Sequence, residues 1–259
     1  MNGSRLVLWS IIGLIVLAGI FFIGYLPMVD IFQSLKINFM LFGFALIPYL
    51  LTLTIGIFLI VRYTLYKAKI NLSWGIAFLF YSFTFLVILL SSFFEVFGDL
   101  TRIDVFLIKR YPMVIFLTGL TYSISLIYSE KKTFANFISL FVFWISTFWM
   151  LVGLFYLKNI ELTIFGFVYF IFLPVLIFLA YTLYSVAVRD GLTSVKLVSA
   201  GLYGICFTYG VGAFFRSCPL YYIFLSASTF SLISILVGLC MLVFEKEKYM
   251  RKNEFCKRR

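Results

Sequence analysis

Histidine is absent from this chain of 259 residues, and cysteine, proline and charged residues are scarce. The absence of histidine excludes histidine-ligated zinc and haem, histidine general bases, and Ser-His-Asp or Cys-His catalysis. The four cysteines form no closely spaced pair, which argues against a metal knuckle or a disulfide framework. The chain also has no paired-aspartate motif for prenyl transfer and no glycine-rich phosphate loop. We therefore predict no catalytic residue, no metal and no cofactor, so that the protein is not an enzyme.

Charged residues make up only 12% of the chain, whereas hydrophobic residues make up 64% and the mean hydropathy is +1.12. Soluble domains contain about 25% charged and roughly 45–50% apolar residues. A soluble protein of this size needs more charge to cover its surface, so the apolar side chains must face something other than water. The composition predicts an integral membrane protein.

Eight segments contain no Asp, Glu, Lys or Arg, and each has at least 19 residues. A helix needs about 20 residues to cross a hydrocarbon core of roughly 30 Å, and the alternating pattern of a membrane barrel is missing. We predict an all-α fold, a polytopic transmembrane bundle of about eight helices, in a single domain over residues 1–244. The predicted spans are 6–29, 37–61, 70–94, 111–129, 133–157, 162–188, 197–215 and 217–244. Residues 245–259 are predicted to form a basic cytoplasmic tail.

The net charge of +11 comes from basic residues in short loops and in the tail. If the eight spans alternate, fifteen of the 21 Lys and Arg residues fall on the side that holds both termini. The positive-inside rule makes that side the cytoplasm, which predicts a multi-pass protein of the cell membrane with both termini inside. The distribution favours contact with membrane lipids and argues against nucleic acid as a partner.

Small residues recur in the last two predicted spans. The seventh carries Ala200, Gly204, Thr208 and Gly212, and the eighth carries Ala227, Ser231, Ser234 and Gly238. In lipid such stripes let two helices approach closely. We predict tight packing between these two spans as an antiparallel hairpin, and the alternative use of the stripes is a contact in a homo-oligomer.

Prolines fall inside two predicted spans, Pro48 in the second and Pro174 in the sixth, and each is expected to kink its helix. Basic residues follow at similar distances, Arg62 after the first proline and Arg189 after the second. A parallel 4+4 duplication accounts for this correspondence, and so does the ordinary flanking of spans by basic residues. Broken helices at matching positions of two halves are typical of transporter binding sites.

Charge within the spans is almost absent, and Glu95 lies near the predicted outer end of the third span. We predict an outward polar cluster of Glu95, Arg110 and Arg216, which forms either a structural salt bridge or a small outward-opening site. No acid lies at mid-depth in a predicted span, which disfavours a proton- or sodium-coupled pump.

Several features fall between residues 57 and 132. They are the basic connector Arg62-Tyr-Thr-Leu-Tyr-Lys67-Ala-Lys69, a span beginning near Trp74, a charged external turn, a span headed by Lys109-Arg110, and a basic exit at Lys131-Lys132. This stretch resembles part of the multi-helix membrane sensor regions at the front of some prokaryotic signalling proteins. Those regions continue into a cytoplasmic output domain, whereas only a short basic tail is expected after the last predicted span here. The resemblance therefore implies a stand-alone sensing or partner-binding module whose output goes to another protein.

Two functions fit these patterns. The first is a non-catalytic membrane module that senses or binds a protein partner or a lipid. The second is a transporter or permease subunit for an apolar or weakly polar solute, which predicts a cavity near Pro48 and Pro174.

Overall fold

In the computed structural model of the protein, the structure describes residues 39–93, 102–129, 131–157, 160–212 and 220–257. These residues form helices and short connections, with no strand among them. The α-helices are α1 (Phe39–Tyr66), α2 (Lys69–Phe93), α3 (Arg102–Ser129), α4 (Lys132–Val152), α5 (Ile160–Gly166), α6 (Leu173–Arg189), α7 (Thr193–Gly212) and α8 (Leu220–Lys257). A π-helical segment, π1 (Gly153–Leu157), ends α4, and another, π2 (Phe167–Phe172), joins α5 to α6.

Six helices of the described ranges are long and apolar enough to cross a membrane, so the chain has the character of a multi-pass membrane protein. Those segments are Phe42–Tyr66, Lys69–Leu90, Arg110–Ser129, Lys132–Val152, Leu162–Arg189 and Leu225–Val243. The first predicted span, 6–29, lies outside the described residues. The seventh corresponds to α7, which is not among the six because its glycines, hydroxyls and Lys196 lower its hydropathy.

Helices that follow one another in the chain pack side by side, α1 on α2, α2 on α3 and α3 on α4, then α6 on α7 and α7 on α8. The two sets are joined by contacts of α1 with α8, of α3 with α6, and of α4 with α5 and π2. Packed helices that follow one another run in opposite directions, so the bundle has two ends. We name them the Lys69 end, which also holds Ser129, Arg189 and Thr193, and the Arg110 end.

Helix α4 lies at the edge of the bundle and shows how this fold distributes side chains. Its buried stripe consists of small or flexible residues: Ala135, Ser139, Val142, Ser146 and Met150. Its exposed face is bulky and apolar: Phe137, Leu140, Phe141, Trp144, Phe148 and Leu151. Lipid is as apolar as these side chains, so nothing drives them inward, whereas small residues let α4 lie close to its neighbour. The pattern is that of a helix facing lipid.

Glycines set the spacing of the first three helices. A Cβ added to Gly75 of α2 would lie 3.1 Å from the carbonyl oxygen of Gly56 in α1, and the converse distance is also 3.1 Å. Between α2 and α3, a Cβ on Gly119 would lie 3.1 Å from the carbonyl oxygen of Ser73. Each of these glycines therefore permits a backbone approach that any other residue would obstruct.

Pro174 is the second residue of α6, with one residue between it and the end of π2. Because proline lacks an N–H group and its ring crowds the carbonyl four residues earlier, a helix must adjust on the N-terminal side of this residue. The adjustment here is a π-helical turn, and helical backbone angles at Gly166 and Leu173 keep the rod continuous from Ile160 to Arg189. The kink predicted from the sequence at Pro174 is thus taken up by π2.

Two connections at the Lys69 end use left-handed backbone conformations. Lys67 ends α1 with φ 53°, and its N–H donates to the carbonyl oxygen of Tyr63 at 2.7 Å. Gly191 ends α6 with φ 67°, in a Schellman motif where Leu192 N–H donates to the carbonyl oxygen of Ala187. Beside it the Arg189 guanidinium donates to Asp190 at 2.8 Å, which lowers the pKa of that exposed carboxyl.

Helix α8 continues past residue 244 as far as Lys257 without a break. The backbone of the predicted tail, 245–259, is therefore helical as far as Lys257. At 1.5 Å per residue, a helix of 38 residues is about 57 Å long, more than a hydrocarbon core of roughly 30 Å requires.

Candidate functional site

Of the predicted polar cluster, the structure describes only Arg110, while Glu95 and Arg216 lie outside the described residues. Arg110 stands where the membrane-compatible part of α3 begins. Its Nη1 donates to the Met113 sulfur at 3.4 Å, and further interactions hold the same side chain. Its positive charge also lies within electrostatic range of two tyrosines, the buried Tyr81 and the half-buried Tyr209.

The two tyrosines form a hydrogen bond across the bundle. The Tyr81 hydroxyl of α2 donates to the Tyr209 hydroxyl of α7 at 3.1 Å, and Tyr81 is 0% exposed. Helices α2 and α7 are not among the closely packed helix pairs. The tyrosine pair is therefore a polar link between the set α1–α4 and the set α5–α8, made by two helices that are not otherwise closely packed.

Aromatic rings surround this pair. The Tyr81 ring stacks on Phe116 of α3, with centroids 4.3 Å apart and an interplanar angle of 17°. The Tyr209 ring lies 5.1 Å from that of Phe172 in π2. In the same segment the Tyr169 hydroxyl donates to the Gly210 carbonyl oxygen of α7. The π-helical turn thus presents both a ring and a hydroxyl to α7, and such turns often occur at functional sites.

We name Arg110, Tyr81, Tyr209, Phe116 and Phe172 the arginine–tyrosine cluster. It combines a cation with two hydroxyls that can each donate and accept a hydrogen bond, and with aromatic walls. This chemistry suits an anionic or hydrogen-bonding group of a ligand or partner and supplies no nucleophile paired with a base. Sequence reasoning identified Arg110 but missed both tyrosines, because nothing distinguishes them among the 17 tyrosines of the chain.

The two prolines do not meet. Pro48 is buried in α1, where the Thr52 hydroxyl donates to the carbonyl oxygens of Pro48 at 2.8 Å and Tyr49 at 2.9 Å. Pro174 is exposed on α6, and α1 and α6 are not a closely packed pair. In the part of the chain that the structure describes, the two prolines thus lie on helices that are not closely packed, and a shared cavity stays a prediction.

Small residues of α7 and α8 line a close contact, among them Gly204, Ser231, Ser234 and Gly238 of the predicted stripes. An added Cβ on Gly204 would collide with Ser231, and one on Gly238 would lie 2.6 Å from the Ser194 carbonyl oxygen. The Ser234 hydroxyl donates to the Leu197 carbonyl oxygen at 2.8 Å.

Two other members of the predicted stripes bond within their own helix or end it. Thr208 donates to the Gly204 carbonyl oxygen at 2.8 Å, and Gly212 is the last residue of α7. Residues inside one helix can therefore share a stripe without sharing its contact.

Ala200 is exposed, and the adjacent Gly201 makes the contact instead, since a Cβ there would lie 2.6 Å from the Ser231 carbonyl oxygen. A strict four-residue row turns by about 40° per step around a helix with 3.6 residues per turn. The row that begins at Ala200 therefore cannot keep facing one straight neighbour, and its first member falls outside the contact.

Arg62 is a buried cation near the Lys69 end and is only 8% exposed. Its guanidinium lies over the rings of Phe58 at 5.8 Å and Tyr66 at 5.7 Å, close to Cys240 of α8. Its buried Nε and Nη1 atoms make no hydrogen bond to any described residue. The two aromatic faces stabilise the Arg62 charge. The sequence predicts Arg62 only as part of a basic connector and not as a buried cation.

Comparison with known proteins assigns no family, since no family model, curated protein or solved structure matches the chain. Across the described ranges no three Cys, Asp or Glu side chains gather in a way that could hold a metal ion. The site has therefore to be interpreted from its own geometry.

Proposed function

We propose that the chain is a non-catalytic membrane module that senses or binds a protein partner or a lipid, and that it passes the signal to another protein. In this proposal the Arg110 end faces outward and both termini lie in the cytoplasm of the cell. The observation that carries it is the hydrogen bond between Tyr81 and Tyr209, which links two helix sets within electrostatic range of the Arg110 cation.

A hydrogen bond between membrane helices contributes about 0.6 kcal/mol on average and at most about 1.7 kcal/mol. A link of this size can be broken or strengthened by a ligand that binds one arrangement of the two helix sets better than the other. The cluster therefore has what a sensor needs, a group that attracts a ligand and a nearby contact of modest strength between two rigid parts.

The permease alternative requires a path for solute through the bundle. The exposed Pro174 and the buried Pro48 do not line such a path together, and the described spans hold no acidic residue that could couple a cation. Both observations favour binding over transport.

A photo-crosslinking amino acid placed at Tyr111, which is half-buried beside Arg110, tests the proposal in native membranes. We expect a reproducible adduct that Arg110→Gln weakens severalfold. The matched controls are the same probe at the exposed Tyr184 near the opposite end, and Arg189→Gln, which removes an exposed arginine there. Equal labelling from both probe positions, or no reproducible adduct at Tyr111, would contradict the proposal. Solute flux through proteoliposomes of the pure protein would favour the permease instead.

A further inference from the structure

A groove of about 450 Å³ runs between α1, α2 and α3 and begins at the Lys69 end. This volume falls within the range of small-molecule sites, roughly 300–1,000 Å³. Its lining includes Tyr63 of α1, Lys69, Ser73 and Ile76 of α2, and Ile115 and Tyr122 of α3. Since it lies between lipid-facing surfaces at the opposite end from the arginine–tyrosine cluster, it is a separate site.

The lining changes in character along the groove. Lys69 and Ile76 are seven residues apart on α2, or about 10 Å along its axis. Tyr122 and Ile115 are also seven residues apart on α3, which runs in the opposite direction, so Tyr122 lies near Lys69 and Ile115 near Ile76. One end is thus cationic and hydroxyl-bearing, and the deeper end is aliphatic.

The floor of the groove is held by backbone contact. The Ser73 hydroxyl donates to the Gly119 carbonyl oxygen at 2.8 Å, and a Cβ on Gly119 would lie 2.9 Å from the Ala77 Cβ. Because small residues at this crossing leave no side chain to fill the space above them, the recess between the flanking side chains is built into the packing of α2 on α3.

Lys69 is the charged residue among those that line the groove, and it lies at the end that we call the mouth. Next to it, the Lys67 amine lies 5.7 Å from the centre of the Tyr63 ring, so the mouth is positively charged. A cationic mouth that leads to an aliphatic recess, open to lipid, is complementary to an anionic head group followed by a hydrocarbon chain. Basic residues at the cytoplasmic surface attract anionic lipids of the inner leaflet.

We propose that this groove binds an anionic phospholipid, with its phosphate at Lys69 and Tyr63 and one acyl chain along Ile76 and Ile115. This inference rests on the lipid-binding part of the proposed function and is independent of the arginine–tyrosine cluster. A basic residue near the surface contributes about 1 kcal/mol to such binding, so loss of Lys69 weakens it about fivefold.

Native mass spectrometry of the full chain, titrated with phosphatidylglycerol or with phosphatidylcholine of the same acyl chains, measures the preference. We expect tighter binding of one phosphatidylglycerol, weakened about fivefold by Lys69→Gln. The control Lys132→Gln removes an exposed lysine at the same end but outside the groove and leaves binding unchanged. Equal affinity for the two lipids, or equal effects of the two lysine variants, would overturn the proposal.

A second pair of variants tests the acyl-chain recess. Ile76→Trp fills it at a position that is already 40% exposed, and Ile177→Trp adds the same bulk on α6 at a position that is 46% exposed. We expect only Ile76→Trp to abolish the preferred lipid, and excess glycerol 3-phosphate not to displace it. Displacement by glycerol 3-phosphate would show a free-phosphate site and refute the lipid. The crosslinking test at Tyr111 should be unaffected by Lys69→Gln. An unchanged adduct would show that the groove and the proposed function are tested independently of each other.

Discussion

Replacing Gly201 of α7 by alanine adds a single methyl group at the closest backbone approach to α8. The new Cβ would lie 2.6 Å from the Ser231 carbonyl oxygen and 3.1 Å from the Ile235 backbone nitrogen, and it would also collide with the Ile235 side chain. Two of these three atoms belong to the backbone, so rotation of a side chain cannot relieve the contact. The two helices must move apart.

The loss of stability caused by Gly201→Ala can be worked out from how helices pack in lipid. Overpacking a well-packed contact typically costs about 1–3 kcal/mol, and membrane helices gain little from hydrophobic burial that could offset it. We expect Gly201→Ala to lower the free energy of unfolding by about 1–3 kcal/mol, measured by steric trapping or by denaturant titration in micelles. Its melting temperature should fall by roughly 2–4 °C per kcal/mol.

Gly43→Ala in α1 is the matched control, because an added Cβ there meets nothing within 4 Å. It makes the same chemical change within a helix, so it isolates the effect of alanine on helix stability from the effect of the collision. If Gly201→Ala and Gly43→Ala differ by less than about 0.5 kcal/mol, the close α7–α8 contact does not stabilise the protein as argued.

Three further predictions concern single contacts. Tyr81→Phe and Tyr209→Phe should show a coupling of about 0.6 kcal/mol, and at most about 1.7 kcal/mol, in a double-mutant cycle of unfolding, and zero coupling would refute the bond. Lys67 and Gly191 both have left-handed backbone angles, which glycine adopts more readily than other residues. Lys67→Gly should therefore raise the unfolding free energy by about 0.5–1 kcal/mol, and Gly191→Ala should lower it by about 1 kcal/mol. Changes of the same sign in the two variants would contradict this account. Ser199→Ala removes a 2.7 Å bond to the Ala180 carbonyl oxygen and should lower the same free energy by about 0.6 kcal/mol, whereas an unchanged value would refute it.

The helical class could be predicted from the sequence because lipid imposes a simple condition. Every backbone polar group must be satisfied inside the segment, so a charge-free run of about 20 residues becomes a helix whatever its neighbours are. The ends of α2, and of the continuous rod formed by α5, π2 and α6, accordingly lie within a few residues of the predicted 70–94 and 162–188. The start of α3 at Arg102 is earlier than the predicted 111, since polar residues before the apolar run also extend the helix.

Contacts between helices could not be predicted in the same way. A row of small residues shows that a helix can be approached closely, but the crossing geometry decides which neighbour in the row is used, as Gly201 and Ala200 show. Gly56, Gly75 and Gly119 lie on three different helices, so they form no row in the sequence. The close approaches that these glycines permit can be recognised only when the three helices are placed together.

The two proposed sites share α2, and its packing indicates how they are related. Ser73 joins α2 to α3 by a hydrogen bond near the groove, and Tyr81 joins the same two helices by ring stacking near the arginine–tyrosine cluster. Helices α2 and α3 therefore act as one rigid pair, held at both ends. The contact of α2 with α7, by contrast, depends on the Tyr209 hydroxyl. A movement that separates the two helix sets would break that bond and leave the α2–α3 floor of the groove intact, so lipid binding should persist in Tyr209→Phe.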